Sequence, residues 1–238
     1  MPKTTDDIKI RKSRERGHAN HGWLDSYFTF SFADYQDEKF MGYRTLRVIN
    51  EDRVEPGQGF GMHPHRDMEI ITYVVEGELA HKDSMGNGST IKAGCLQRMT
   101  AGTGVTHSEF NSSQVKKLHL LQIWILPEQR GLKPSYEELN LQDARRENSL
   151  TLVASNDATK NVLKVHQDVR LYSGLLGPEV QVNYTLEDDR GVWIQMIKGS
   201  IDINGIKLAP GDGVAIEREP NLTIQAQERA EFLLFDLK

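Results

Sequence analysis

The chain is predicted to be all-β, built as two antiparallel β-barrels of the jelly-roll kind. Three observations carry this. Short runs rich in Val, Ile, Thr, Tyr and Phe are separated by glycines, of which the 238 residues hold 20. That spacing is typical of strands and turns in a sandwich or barrel. Apolar patterns with a 3.6-residue period are scarce, so helix is a minor component. The two halves also read as weak copies of one another, and a closed sheet leaves no strand edge exposed.

Taken in order, the strands are EIITYVVEG (Glu69–Gly77), LHLLQIWIL (Leu118–Leu126), VWIQMIKG (Val192–Gly199) and EFLLFDL (Glu231–Leu237). The repeat pairs EGEL (Glu76–Leu79) and IKAGCL (Ile91–Leu96) with KGSI (Lys198–Ile201) and LAPGDGV (Leu208–Val214). The best helix candidate is PSYEELNLQDARRE, residues 134–147, where Ser135 and Glu138 have capping-box spacing. This polar stretch reads as a connector around residues 127–150. The expected division is an N-terminal metal-binding barrel over 1–135, then the connector and a C-terminal barrel without a metal site over 136–238.

Composition removes several function classes. With 29 Lys+Arg against 34 Asp+Glu, the net charge is −5. A broad basic surface for nucleic acid is therefore excluded. One cysteine, Cys95, allows no intrachain disulfide and no cysteine-built zinc cluster. The first residues lack the apolar core of a secretory signal, and no run of about 18 apolar residues spans a membrane. The expected compartment is the reducing cytoplasm.

The histidines are unevenly placed: seven of the eight lie at or before His119, and His166 alone lies beyond. The sequence HPH puts His63 and His65 at i and i+2, on one face of a strand. THSEFN does the same for His107 and Glu109. Two such strands facing one space would offer three imidazoles and a carboxylate. Imidazole suits Fe, Cu, Ni, Zn and Co, and the carboxylate oxygen keeps Fe(II) and Mn(II) in the set. Fe(II) is the favoured ion, with Cu, Ni, Co, Mn or Zn as alternatives. Four ligands on an octahedral ion leave two positions for substrate and dioxygen. Applying the same offsets to the second half lands on Thr185, Glu187, Ile224 and Ala226, which retain one possible ligand.

The remaining histidines have plainer readings. His18 and His21 sit in RGHANHGW as loop-anchoring groups. His119 shares a strand face with Leu121, Ile123 and Ile125, as a hydrogen-bonded core histidine does. His81 and His166 carry no pattern. Cys95 reads as an inert packing residue.

The glycine framework carries a family resemblance. Gly57, His63-x-His65, Glu69 and Gly77 resemble the first cupin motif, with one extra residue before the last glycine. Gly94, Thr100-Ala-Gly102, His107 and Asn111 resemble the second, with Thr in place of the usual Pro and a longer step to the histidine. HPHRDMEIITYVVEG followed by MTAGTGVTHSEFN looks like the pirin branch of the cupins. RGHANHGWLDSYFTFSFADY and MGYRTLRVINEDRVEPGQGFG closely resemble bacterial pirin-like proteins, including pirin-type quercetinases. The resemblance covers most of residues 8–140.

This likeness implies a bicupin with one metal held by His63, His65, His107 and Glu109. Glu69 occupies the carboxylate position that many other cupins use as a ligand; here the likeness implies that it does not bind the metal directly, which leaves it as a support to the ligands or as a surface residue. The implied activity is that of a quercetin 2,3-dioxygenase: dioxygen opens the central ring of a flavonol and carbon monoxide is released. Glu109, with Glu69 as rival, is the expected proton acceptor. Phe60, Met62 and Met99 are candidates for the apolar cavity. The alternative is a metal- and redox-sensing regulator that acts through protein partners, without direct contact to nucleic acid.

Overall fold

The computed structural model describes residues 7–144, 146–157 and 159–238. Each half pairs a large seven-stranded sheet with a small four-stranded one. The first large sheet runs, edge to edge, Ser135–Asn140, Cys95–Thr100, Glu69–Glu76, Leu118–Ile125, Leu46–Val54, Leu24–Phe28 and Gly17–Asn20. The first small sheet runs Gly59–His65, Val105–Asn111, Glu78–Asp83 and Gly88–Lys92. In the second half the large sheet runs Ile8–Arg11, Gly213–Glu217, Gly191–Lys198, Ala230–Leu237, Val169–Leu176, Ser149–Ser155 and Leu163–Lys164. Its small sheet runs Gln181–Thr185, Asn221–Ala226, Ile201–Ile203 and Ile206–Leu208. The predicted double jelly roll is thus the observed one. Its hydrogen-bonded ladders stop at two facing sheets per half, so each barrel is closed by packing rather than by a continuous ladder.

The two large sheets stack face to face. Their shared core joins Ile71, Tyr73, Leu121 and Ile123 of the first half to Trp193, Leu233 and Phe235 of the second. Phe30 and Trp193 meet with ring centroids 4.7 Å apart. This explains why EIITYVVE and GVWIQMIK read as unbroken apolar runs. Each central strand is buried on both faces: against its own small sheet on one side and against the other half on the other. Polar ties finish the interface, with Lys198 Nζ 2.7 Å from Glu76 Oε1 and Tyr73 Oη donating to Glu231.

Two strands cross the expected division at 135/136. Ser135–Asn140 pairs with Cys95–Thr100 in the first half, and Ile8–Arg11 pairs with Gly213–Glu217 in the second. The two take matching edge positions, so each large sheet draws its edge strand from across that division. The helix expected over 134–147 is corrected by the same pairing. Helix is confined to Leu141–Ala144, and Arg145 lies outside the described residues. Ser135 and Glu138 form no capping box. Ser135 Oγ accepts from Arg98 Nη1 at 2.6 Å, and Glu138 accepts from Tyr136 Oη at 2.8 Å. A long-range ladder has outweighed local helix propensity. His18 likewise lies in a strand, Gly17–Asn20, with Nε2 2.6 Å from Asp25 Oδ1. No helix among the described residues is long and apolar enough to cross a membrane.

Candidate metal centre

Strand register builds the site. In the first small sheet His107 pairs directly with His63. The ladder shifts between His107 and Glu109, and Glu109 faces His81 on the next strand. The rings of His63 and His107 have centroids 4.4 Å apart; His65 lies 4.8 Å from His63 and 4.9 Å from His107. The ligand atoms of these three lie within 4.8 Å of one another. A second grouping at the same spacing joins His81, His107 and Glu109. His107 is therefore the hinge of the cluster.

The nitrogens are arranged as a metal requires. His63 Nδ1 lies 2.8 Å from the Gly61 carbonyl, which can only accept, so the proton sits on Nδ1 and Nε2 keeps its lone pair. Both ring nitrogens of His107 are buried with no hydrogen-bond partner among the described residues. An orphaned buried imidazole is costly unless something else satisfies it. Burial, reinforced by the neighbouring imidazoles, pushes His107 down to about 3 and His65 down to about 4. Both are neutral near pH 7, the form that binds a cation. The donor set fits a divalent transition metal.

Glu109 is fixed from below by the large sheet. Gln97 Nε2 at 2.6 Å and Thr72 Oγ1 at 3.2 Å donate to Oε1, and Gln122 Nε2 at 2.8 Å donates to Oε2. Asn50, Gln122, Thr72 and Gln97 stand opposite one another on four adjacent strands. They form a polar row across the inner face of the sheet. Sequence reasoning missed this row, whose signal is a polar residue at an inward position in each of the four strands. His81 was also missed. It is buried, stacks on Tyr136 at 4.7 Å, and has Nε2 3.2 Å from Asp83 Oδ2. The His81-x-Asp83 same-face pair could have flagged it.

Glu69 is not at the site. Its strand has a period of two, so Glu69 shares the outer face with Ile71 and Tyr73, while Thr72 faces Glu109. Thr100 Oγ1 donates to Glu69 Oε2 at 3.1 Å, and His166 Nδ1 lies 3.4 Å from Oε1. The expected role of Glu69 beside the metal or as proton acceptor is therefore corrected. His119 is a partnered, half-buried histidine, with Nε2 2.9 Å from Glu51 Oε1.

Beside the histidines opens a cavity of about 500 Å³, reached by His63, His65 and Glu109. Its walls include Trp23, Phe28, Phe32, Phe60 and Trp124. Of the expected wall residues Phe60 is present. Met62 is 59% exposed, and Met99 is buried in a side cluster with Ile70 and Val105. Larger clefts in the second half, about 680 and 730 Å³, are lined by charged groups such as Arg190 and Glu187. They lack the apolar lining usual for an aromatic ligand.

Paired jelly rolls with a histidine cluster in one small sheet define a cupin. The Pirin family model matches residues 9–125, and that of the quercetinase C-terminal cupin domain matches 152–237. A quercetin 2,3-dioxygenase of Escherichia coli K12 is 52% identical over 230 residues, covering 97% of this chain and 98% of the relative. A pirin-like protein of Caulobacter vibrioides is 38% identical, covering 92% and 95%. The crystal structure of the bacterial pirin YhhW from Escherichia coli in complex with nickel(II) superposes with a TM-score of 0.92 at 52% identity, covering 97% and 98% of the two chains. The chain belongs to the pirin family.

Proposed function

We propose that this protein is a metal-dependent dioxygenase that opens the central ring of flavonols such as quercetin and releases carbon monoxide. The observation that carries the reading is the opening of the histidine cluster and Glu109 onto an aromatic-walled cavity. The printed activity of the Escherichia coli relative supports the substrate class, and the nickel(II) complex of a bacterial pirin supports a divalent ion.

His63, His65, His107 and Glu109 would hold one ion, with Fe(II) favoured by the mixed imidazole and carboxylate donors. Such an ion, when bound, supplies a Lewis acid that lowers the pKa of a substrate hydroxyl. The aromatic walls hold a planar ligand and exclude water. The depressed basicity of His65 and His107 keeps both rings neutral. Gln97, Thr72 and Gln122 hold both oxygens of Glu109, a carboxylate that burial pushes up. With Glu69 on the far face, Glu109 is assigned as acceptor of the ligand's hydroxyl proton.

Quercetin added to metal-loaded protein is expected to lose its near-ultraviolet and visible band while dioxygen is consumed in equimolar amount. No uptake with any flavonol, across Fe, Cu, Ni, Co and Mn loading, would contradict the reading and favour the regulatory alternative.

A further inference from the structure

A polar patch on the cavity wall is not used by the chemistry above. Ser26, Asn50 and Asp52 line the same cavity as the aromatic side chains. Ser26 and Asp52 are register partners on neighbouring strands, and Ser26 Oγ donates to Asp52 Oδ1. Asn50 and Asp52 are each 4% exposed. Asn50 Oδ1 is buried with no hydrogen-bond partner among the described residues. Asp52 takes the Ser26 hydroxyl on Oδ1, and its carboxyl lines the cavity. An amide and a carboxyl thus share one side of an apolar cavity, and the unmet buried oxygen of Asn50 costs stability unless a ligand meets it.

We infer that Asn50 and Asp52, braced by Ser26, form an anchor that takes a phenolic hydroxyl of a planar aromatic ligand. The inference rests on the proposed use of this cavity for an aromatic substrate, and it deepens that reading by naming the side chains that select a hydroxylated ring. The chemistry follows from the donor inventory. A phenol O–H donates to the Asn50 carbonyl or to an Asp52 oxygen, and a neutral Asp52 carboxyl can donate in return. Burial, opposed by Ser26 and assisted by the charge of Glu109, raises Asp52 to about 7. His21, His63, His65 and Glu109 are the other titratable groups lining the cavity, and Glu51 adjoins Asp52 in the chain. A hydrocarbon of the same shape offers these polar groups nothing, so the patch acts chiefly by rejecting ligands that lack the hydroxyl.

The test uses the full chain with 2-naphthol and naphthalene in equilibrium dialysis, without any turnover. Native protein is expected to bind 2-naphthol about tenfold more tightly than naphthalene. Asp52→Leu should erase that preference with little change for naphthalene, and Asp52→Asn, which keeps hydrogen-bonding groups, should restore most of it. Loss of both affinities together would mark a merely structural role and overturn the inference. So would an unchanged preference in Asp52→Leu, or no saturable binding of 2-naphthol to native protein. Should Asp52→Leu fail to fold, Asn50→Leu and Ser26→Ala carry the same comparison. A protein that shows the naphthol preference but never consumes dioxygen with quercetin would keep the anchor and lose the dioxygenase reading.

Discussion

The inner faces of the two large sheets hold the same row of positions with opposite chemistry. In the first half the row is Asn50, Gln122, Thr72 and Gln97; in the second the register partners are Tyr172, Leu234, Ile194 and Val214. Above these rows, the strand that carries His107 and Glu109 is matched by Asn221–Ala226, whose Leu222, Ile224 and Ala226 are buried in an apolar cluster. The second half therefore packs one continuous apolar interior. The first has its apolar residues split into two smaller clusters, one around Leu79 and Leu118 and one around Ile70 and Met99. The lesson is that one scaffold serves both uses. The second half puts its interior into stability, whereas the first gives up part of its core to hold a carboxylate and three imidazoles.

The largest effect should come from putting the first half's chemistry into the second. Ile224→Glu would bury a carboxylate with no polar row beneath it, and a loss of about 3–5 kcal/mol is expected in denaturant unfolding. The converse change removes one donor from the first half. Gln122→Leu leaves Glu109 Oε2 without its amide, and metal affinity in chelator competition should fall about 10–100-fold.

The polar interior should also impose a pH dependence that the apolar one lacks. Asp52 stands near 7 when folded and near its ordinary value of 3.8 when unfolded. Between those limits the folded chain holds a proton that the unfolded chain has lost. Its contribution to stability is present in full below pH 3.8 and is lost as pH rises towards 7. Asp52→Asn should remove this slope, at most about 1.4 kcal/mol per pH unit, so the variant gains on the native protein from pH 4 to 7 and levels off above. Parallel stability curves for the two proteins would contradict the assignment. The smallest effect is expected at the exposed tie between the halves: Lys198→Ala, which breaks the pair with Glu76, should cost under about 1 kcal/mol in thermal unfolding.

The four candidate ligands were legible because the strand period turns His-x-His and His-x-Glu into same-face pairs. The double jelly roll was legible from glycine spacing and the repeat. What local sequence could not supply was pairing over long distances. Ser135–Asn140 looked helical from its cap spacing, and only the partner strand Cys95–Thr100 makes it an edge strand. Glu69 was a rival proton acceptor by its motif position, although the parity that brings Thr72 to Glu109 sends Glu69 to the opposite face. The polar row was hidden for a related reason. Thr72 and Gln122 are single polar residues in apolar runs, Asn50 and Gln97 sit beside charged neighbours, and the row exists only once four strands are in register.

The central claim is that the metal chemistry belongs to the first half alone, through a cluster that hinges on His107. Metal analysis of the native protein and of His107→Ala, each reconstituted with a divalent transition ion and freed of excess, tests it most directly. The account predicts one ion per chain in the native protein and near-complete loss in the variant, with the fold retained. Unchanged metal content in His107→Ala would place the ion elsewhere and contradict the account.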